Sequence, residues 1–110
     1  MVQEQPATVS PYCPLFQNAL ELIGRRWTGA IVRTMLAGSV RFSEILAAIP
    51  GLSDRLLSER LRELEGAGIV ERHVYPETPV RIEYELTPKG RELDAIVAAL
   101  DQWIHKWTGE

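Results

Sequence analysis

A chain of 110 residues, 45% apolar and 25% charged, has room for one domain with a real core and none for a second. Its apolar runs fall short of the roughly eighteen residues that span a bilayer, residues 1–6 carry no readable signal peptide, and a single cysteine excludes an intrachain disulfide. A cytoplasmic protein without membrane attachment is expected. The net charge of −3 alone argues against a nucleic-acid partner. Its distribution argues otherwise, because Arg25, Arg26, Arg33, Arg41, Arg55, Arg60 and Arg62 meet only three acids across residues 24–62. Phosphate contact is a local requirement, although any one of these arginines can equally be solvated surface.

Taken in order, residues 1–11 hold two prolines and little apolar material and read as an arm. Pro14 suits the first position of a helix, which should run to about residue 24 with Leu15, Ala19, Leu22 and Ile23 inward. A second helix is expected over 27–37, with Trp27, Ile31, Met35 and Leu36 inward, ended by Gly38. Residues 40–42 are long enough only for a small strand that can join a later hairpin. Ser43 should cap a short helix over 44–49, and residues 50–52 form the turn of a helix-turn-helix.

Ser53 is a good cap for the next helix. Leu57, Leu61 and Leu64 then give it one apolar stripe, while Asp54, Arg55, Ser58, Glu59 and Arg62 make the opposite face polar. Residues 66–68, with two glycines, end it. Residues 69–75 and 81–86 alternate as two antiparallel strands. A helix with a polar outer face followed at once by a hairpin is the plan of a winged helix-turn-helix. The expected fold is α+β and mostly helical, a single domain over 1–110 with the helix-turn-helix at 43–65 and the wing hairpin at 69–86.

Thr87 and Pro88 open a final helix, read as continuous over 88–107. Leu93, Ile96, Val97, Leu100, Trp103, Ile104 and Trp107 recur at alternating steps of three and four, a seam sustained over two heptads. Twenty residues of helix span about 30 Å, about the width of a small domain. Such a stripe needs a second surface. A second copy of the chain can supply it, making 88–107 a dimerisation helix, and so can the first helix of the same chain.

The order of motifs resembles the HxlR-type winged-helix regulators. The resemblance rests on residues 12–14, Leu22 to Thr28, Arg41 to Ile45, residues 61–65 and 68–72, residues 75–77, Val80, residues 83–87, and Lys89 with Gly90. It covers about residues 12 to 105 and departs from the common pattern at Arg25, where glycine is more usual. It implies a transcription regulator of MarR-like architecture, a homodimer joined through N- and C-terminal dimerisation helices and binding double-stranded DNA at an inverted-repeat operator. It also implies that the helix over 53–65 reads the major groove and that the wing lies on the flanking minor groove. Some members of that family sense electrophiles or oxidants through a cysteine at the position of Cys13, which makes such a small molecule a candidate effector.

Major-groove reading needs forked donors and acceptors on one helix face. Arg55 can fork onto guanine, Ser58 and Glu59 can reach base edges, and Arg62 suits a phosphate or an outlying guanine. Ser53 and Asp54 belong to the same face, Arg41 and Ser43 open the preceding helix, and Arg81 is the cation nearest the wing tip, where a narrow minor groove attracts arginine. Glu77 beside it would repel phosphate. Arg60 lies at the edge of the apolar stripe and suits a structural ion pair at least as well. Cys13 falls at the cap of the first helix, where the partial positive charge favours an anionic sulfur. A buried inert thiol among Tyr12, Leu15 and Phe16 fits the same pattern. No catalytic, metal or cofactor site is expected, since His73 and His105 lack a spaced third ligand or nucleophile. The alternative function is a winged-helix module for protein–protein contact, which would need an apolar or acidic face over 54–62.

Overall fold

A computed structural model describes residues 10–109, so the arm expected over 1–11 lies, but for its last two residues, outside the described part. Six helices and a hairpin follow in the order α1 (Pro14–Ile23), α2 (Thr28–Leu36), α3 (Phe42–Ala48), α4 (Asp54–Gly66), β1 (Val70–Tyr75), β2 (Arg81–Leu86), α5 (Pro88–Arg91) and α6 (Asp94–Thr108). The strands pair antiparallel, with Val70 opposite Leu86 and Tyr75 opposite Arg81. Residues 40–42 contribute a single bridge, Arg41 to Glu83, and the Val40 carbonyl accepts the Tyr84 N–H at 2.7 Å. The result is a winged helix-turn-helix.

Helix α4 is fixed from both ends and along one side. Ser53 Oγ accepts the Leu56 N–H at 3.1 Å, and Lys89 Nζ donates to the Ala67 carbonyl at 2.8 Å beyond the last turn. Gly68 then turns the chain at φ +76°, where a Cβ would be strained. Leu57, Leu61 and Leu64 are fully buried against Ile31 and Met35 of α2, Ile45 of α3 and Val70 of β1, all within one core. Each such side chain contributes roughly 1.5–3 kcal/mol by leaving water.

Four expectations need correction. The α3 start is not set by Ser43. Glu44 Oε1 reaches back to the N–H groups of Val40 and Arg41 at 3.2 and 3.1 Å, and that bond moves the first turn up to Phe42. Trp27 does not begin α2 but caps it with φ at +79°, a left-handed conformation costing a non-glycine residue roughly 1–3 kcal/mol. Its ring packs beside Gly51, in the turn between α3 and α4, where a Cβ would stand 3.3 Å from it. In α1 none of the residues is buried; Leu22 and Ile23 are half-buried, while Leu15 and Ala19 face out because only the end of α1 leans on α2.

The fourth correction concerns the terminal helix, which is two helices. At the junction the ladder tightens to three-residue bonds, Leu93 N–H to the Gly90 carbonyl and Ile96 N–H to the Leu93 carbonyl. Gly90 is buried so tightly that a Cβ would collide with the Ile69 carbonyl oxygen, and Leu93 packs onto the core. Those two contacts seat α5 on the hairpin, and α6 starts afresh at Asp94. Gly90→Ala should therefore cost about 1–3 kcal/mol through overpacking. Gly66→Ala, with open space at its Cβ, should be neutral or stabilise by up to about 1 kcal/mol. Urea unfolding of both variants checks this, and equal effects would contradict it.

Candidate nucleic-acid interface

Burying the leucine stripe of α4 turns its other side outward. Arg55 is strongly exposed on that side, its side chain 87% accessible, with the Glu59 carboxylate at 3.2 Å. Asp54 and Arg62 are also exposed, and Ser58 and Glu59 half so. Ser53 spends its acceptor on the cap but keeps its hydroxyl proton. Arg60 points the other way. It is buried, donating from Nε to the Arg26 carbonyl at 3.0 Å and from its guanidinium to Glu63 at 3.1 Å, which ties α4 to the segment before α2.

Arg41 and Ser43 are exposed at the start of α3 and share a polar hollow with wing residues Glu77 to Ile82. Arg41 has one distant carboxylate, Glu83, at 4.0 Å. Arg81 is not presented as a free cation. Its guanidinium bonds Glu77 at 2.9 Å and Glu83 beside it, and lies 3.9 Å from the centre of the Tyr75 ring. Glu77, expected to repel phosphate, instead neutralises the arginine.

Two features escaped sequence reasoning. Arg72 of β1 lines a polar cleft with Ser58, Arg62 and Glu65 of α4 and with Tyr84 across the hairpin. The alternation of β1 puts Arg72 on one face but does not tell which face meets α4. Glu71, His73 and Glu85 also converge, their ligand atoms within 4.8 Å of one another. The existing partners account for this cluster: His73 Nε2 lies 3.1 Å from Glu85 and 3.6 Å from Glu71, and Arg91 takes the other oxygen of Glu85.

Away from α4, α1 and α6 expose an apolar surface. Tyr12, Leu15, Phe16 and Leu20 are half or more exposed, as are Ile96, Leu100, Trp103 and Trp107, with Ile104 at 38%. Leu93 and Val97 are half-buried and, with Leu20, Ile23 and Val32, line an apolar cleft of about 210 Å³ between α1, α2 and α6. Arg33 of α2 holds Asp101 of α6 through both carboxylate oxygens at 2.6 Å. Cys13 is exposed, at the cap of α1. No helix among the described residues is long and apolar enough to cross a membrane.

The wing ion pairs carry a pH signature. The hydrogen bond from Arg81 holds the Glu77 carboxyl below its ordinary value of 4.5, with desolvation acting the other way. A depressed carboxylate pKa means that this tether is complete above the ordinary glutamate value and is lost as pH falls through the depressed one. An NMR titration should place the Glu77 midpoint below 4.5, and Arg81→Ala should raise it. A midpoint indifferent to that substitution would contradict the tether.

Comparison with known proteins agrees with this geometry. The HxlR-like helix-turn-helix family model matches residues 22–110. The chain is 53% identical over 98 residues to the HTH-type transcriptional regulator YvaP of Bacillus subtilis, spanning 89% of this chain and 91% of that one. The HTH-type transcriptional regulator YodB of the same organism is 46% identical over 95 residues, 86% of this chain and 85% of YodB. The reduced form of YodB superposes with a TM-score of 0.77 over 87% of this chain and 94% of that one, at 44% identity. The redox regulator HypR in its oxidised form superposes with a TM-score of 0.77 over 86% and 96%, at 39% identity. A polar helix face, a wing and an apolar pair of terminal helices thus coincide with a family match over most of the length: the chain belongs to the HxlR-like helix-turn-helix family of transcriptional regulators.

Proposed function

We propose that the protein is a sequence-specific regulator that binds double-stranded DNA as a homodimer at an inverted-repeat operator, with Cys13 as its redox- or electrophile-responsive group. The observation that carries the reading is the two-sided character of α4. Its inner stripe is locked in the core while its outer face is polar, with Arg55 and Arg62 beside Asp54 and Glu59. An apolar or acidic face would favour a protein–protein module, and this face is neither. On this reading Arg55, Ser58, Glu59 and Arg62, with Ser53 and Asp54, enter the major groove, and Arg41 and Ser43 meet the adjoining backbone. Arg81 reaches DNA only by giving up its bonds to Glu77 and Glu83. The protein works where the DNA is, in the cytoplasm.

A symmetric site calls for two α4 helices held one helical turn apart, about 34 Å. The apolar surface of α1 and α6, with Leu93, Ile96, Val97, Leu100, Trp103, Ile104 and Trp107, suits pairing with a second copy that covers what one chain leaves open. The DNA reading is tested by selecting genomic fragments with the purified protein and titrating the preferred duplex at matched salt. Arg55→Ala should cost about 1–3 kcal/mol and relax preference at one base pair. Arg62→Ala should weaken all sequences more evenly. Unchanged affinity in both variants would mean that α4 is not the reading helix.

The redox reading draws on the exposure of Cys13 at the cap of α1, within the uncovered apolar surface. YodB has been solved in diamide-treated and quinone-bound forms, and HypR is described as a redox regulator. With one thiol per chain, two thiols give up two electrons and two protons to the oxidant in forming a bond to Cys13 of the partner subunit. A mixed disulfide with a small thiol, or a covalent adduct with an electrophile, is the other route. Each product displaces α1 at the dimer seam and so changes the spacing of the α4 helices. Diamide or a quinone should release wild-type protein from DNA and leave Cys13→Ser bound. An equal response of the two proteins, or none, would reduce Cys13 to packing.

A further inference from the structure

We infer that Arg62 of α4 and Arg72 of β1 together form a seat for one backbone phosphate of the bound DNA, at the C-terminal end of the α4 outer face. The inference rests on the DNA-binding reading above and adds to it a residue outside the helix-turn-helix. Of the ten arginines in the chain, eight are already engaged. Arg25, Arg33, Arg41, Arg55, Arg60, Arg81 and Arg91 have a carboxylate within 4.0 Å, and Arg26 lies over the Trp27 ring at 5.1 Å. Among the described residues Arg62 and Arg72 alone have no such partner, although acids outnumber bases in the chain.

These two line the same cleft, an open polar trough of about 350 Å³ between the helix and the hairpin. Glu65 also lines it but pairs with neither arginine. Two guanidinium groups directed at one trough repel each other, and an anion between them turns that repulsion into two charge-assisted attractions. The hydroxyls of Ser58 and Tyr84 on the same walls can donate to the remaining phosphate oxygens. Placement favours a DNA phosphate. Arg55, Ser58 and Arg62 fall at i, i+3 and i+7 along α4, so a strand whose bases meet Arg55 carries its backbone past the trough.

A phosphate contact is independent of sequence, so a random-sequence duplex is the probe. Counterion release assigns about 0.9 to the log–log salt slope for each phosphate neutralised. Two subunits lose two such contacts in the double variant Arg62→Ala, Arg72→Ala, so its slope should fall by about two, and its affinity by roughly thirtyfold at 0.15 M salt and two-hundredfold at 0.05 M, while Arg72→Ala alone, with Arg62 left at the phosphate, should lower the slope by about one. Arg72→Lys should hold the slope within about half a unit, since a phosphate contact needs the charge more than the fork. Arg91→Ala, which removes an equal charge from an arginine already paired with Glu85, should leave it unchanged. Wild-type slope in Arg72→Ala, an equal fall in Arg72→Lys, or an equal fall in Arg91→Ala would each overturn the inference and leave the DNA reading standing. Failure of the wild-type protein to bind the duplex at low salt would overturn both.

Discussion

The apolar surface of this chain exceeds what its own core can cover, and the shape of the molecule follows from that excess. Ile96, Leu100, Trp103 and Trp107 on α6 and Leu15, Phe16 and Leu20 on α1 stay half or more exposed, while the helix-turn-helix core closes completely around Leu57, Leu61 and Leu64. At roughly 25 cal/mol per Å² of apolar area left in water, residues of this size make the open surface a strong drive toward association. The molecule measures 58 by 33 by 23 Å, elongated for its length. On the proposed reading a second copy covers this face and holds a second α4 beside the first.

The two halves are joined by few contacts, and each has a defined physical role. The buried Arg60 ties α4 to the Arg26 carbonyl, so the reading helix cannot roll without breaking a bond from a nearly buried cation, which is costly to leave unpaired. Arg33 and Asp101 clasp α2 to α6 at a site partly open to solvent, where an ion pair contributes modestly to stability but fixes direction. Leu93 and Gly90 anchor the start of the terminal helices on the core and the hairpin. On the proposed reading, a change at α1 or α6 would reach α4 through these packed helices. That is the route by which chemistry at Cys13 would alter DNA binding.

Much of this was legible in the residues. Ser53 with the leucine spacing of α4, the alternation of the two strands and the Thr87–Pro88 start all follow from local rules, and the helices begin or end close to where those rules put them. The misses have both tertiary and local causes. Nothing local announces that Gly90 presses on the Ile69 carbonyl, so the break before α6 was invisible. Glu44 out-competed Ser43 because its longer side chain reaches two N–H groups at once. An amphipathic pattern identifies the apolar face of α1 but not its cover, so Leu15 and Ala19 were read as inward. Arg81 read as a free cation because charge pattern alone does not tell that Glu77 and Glu83 both turn onto its guanidinium. Arg72 went unnoticed because strand alternation leaves open which face of the hairpin meets α4.

The most direct test of the dimer that underlies this account is the mass of the protein in solution, by light scattering, for wild type and for Leu100→Glu with Ile104→Glu. Wild type should have about twice the 12.4 kDa of one chain, and the double variant should keep the helical content of the wild type while falling to one chain's mass and losing most of its DNA affinity. A double variant that remains dimeric and folded, or a wild type that is monomeric at the concentrations where it binds DNA, would contradict the claim that α1 and α6 hold two reading helices in register.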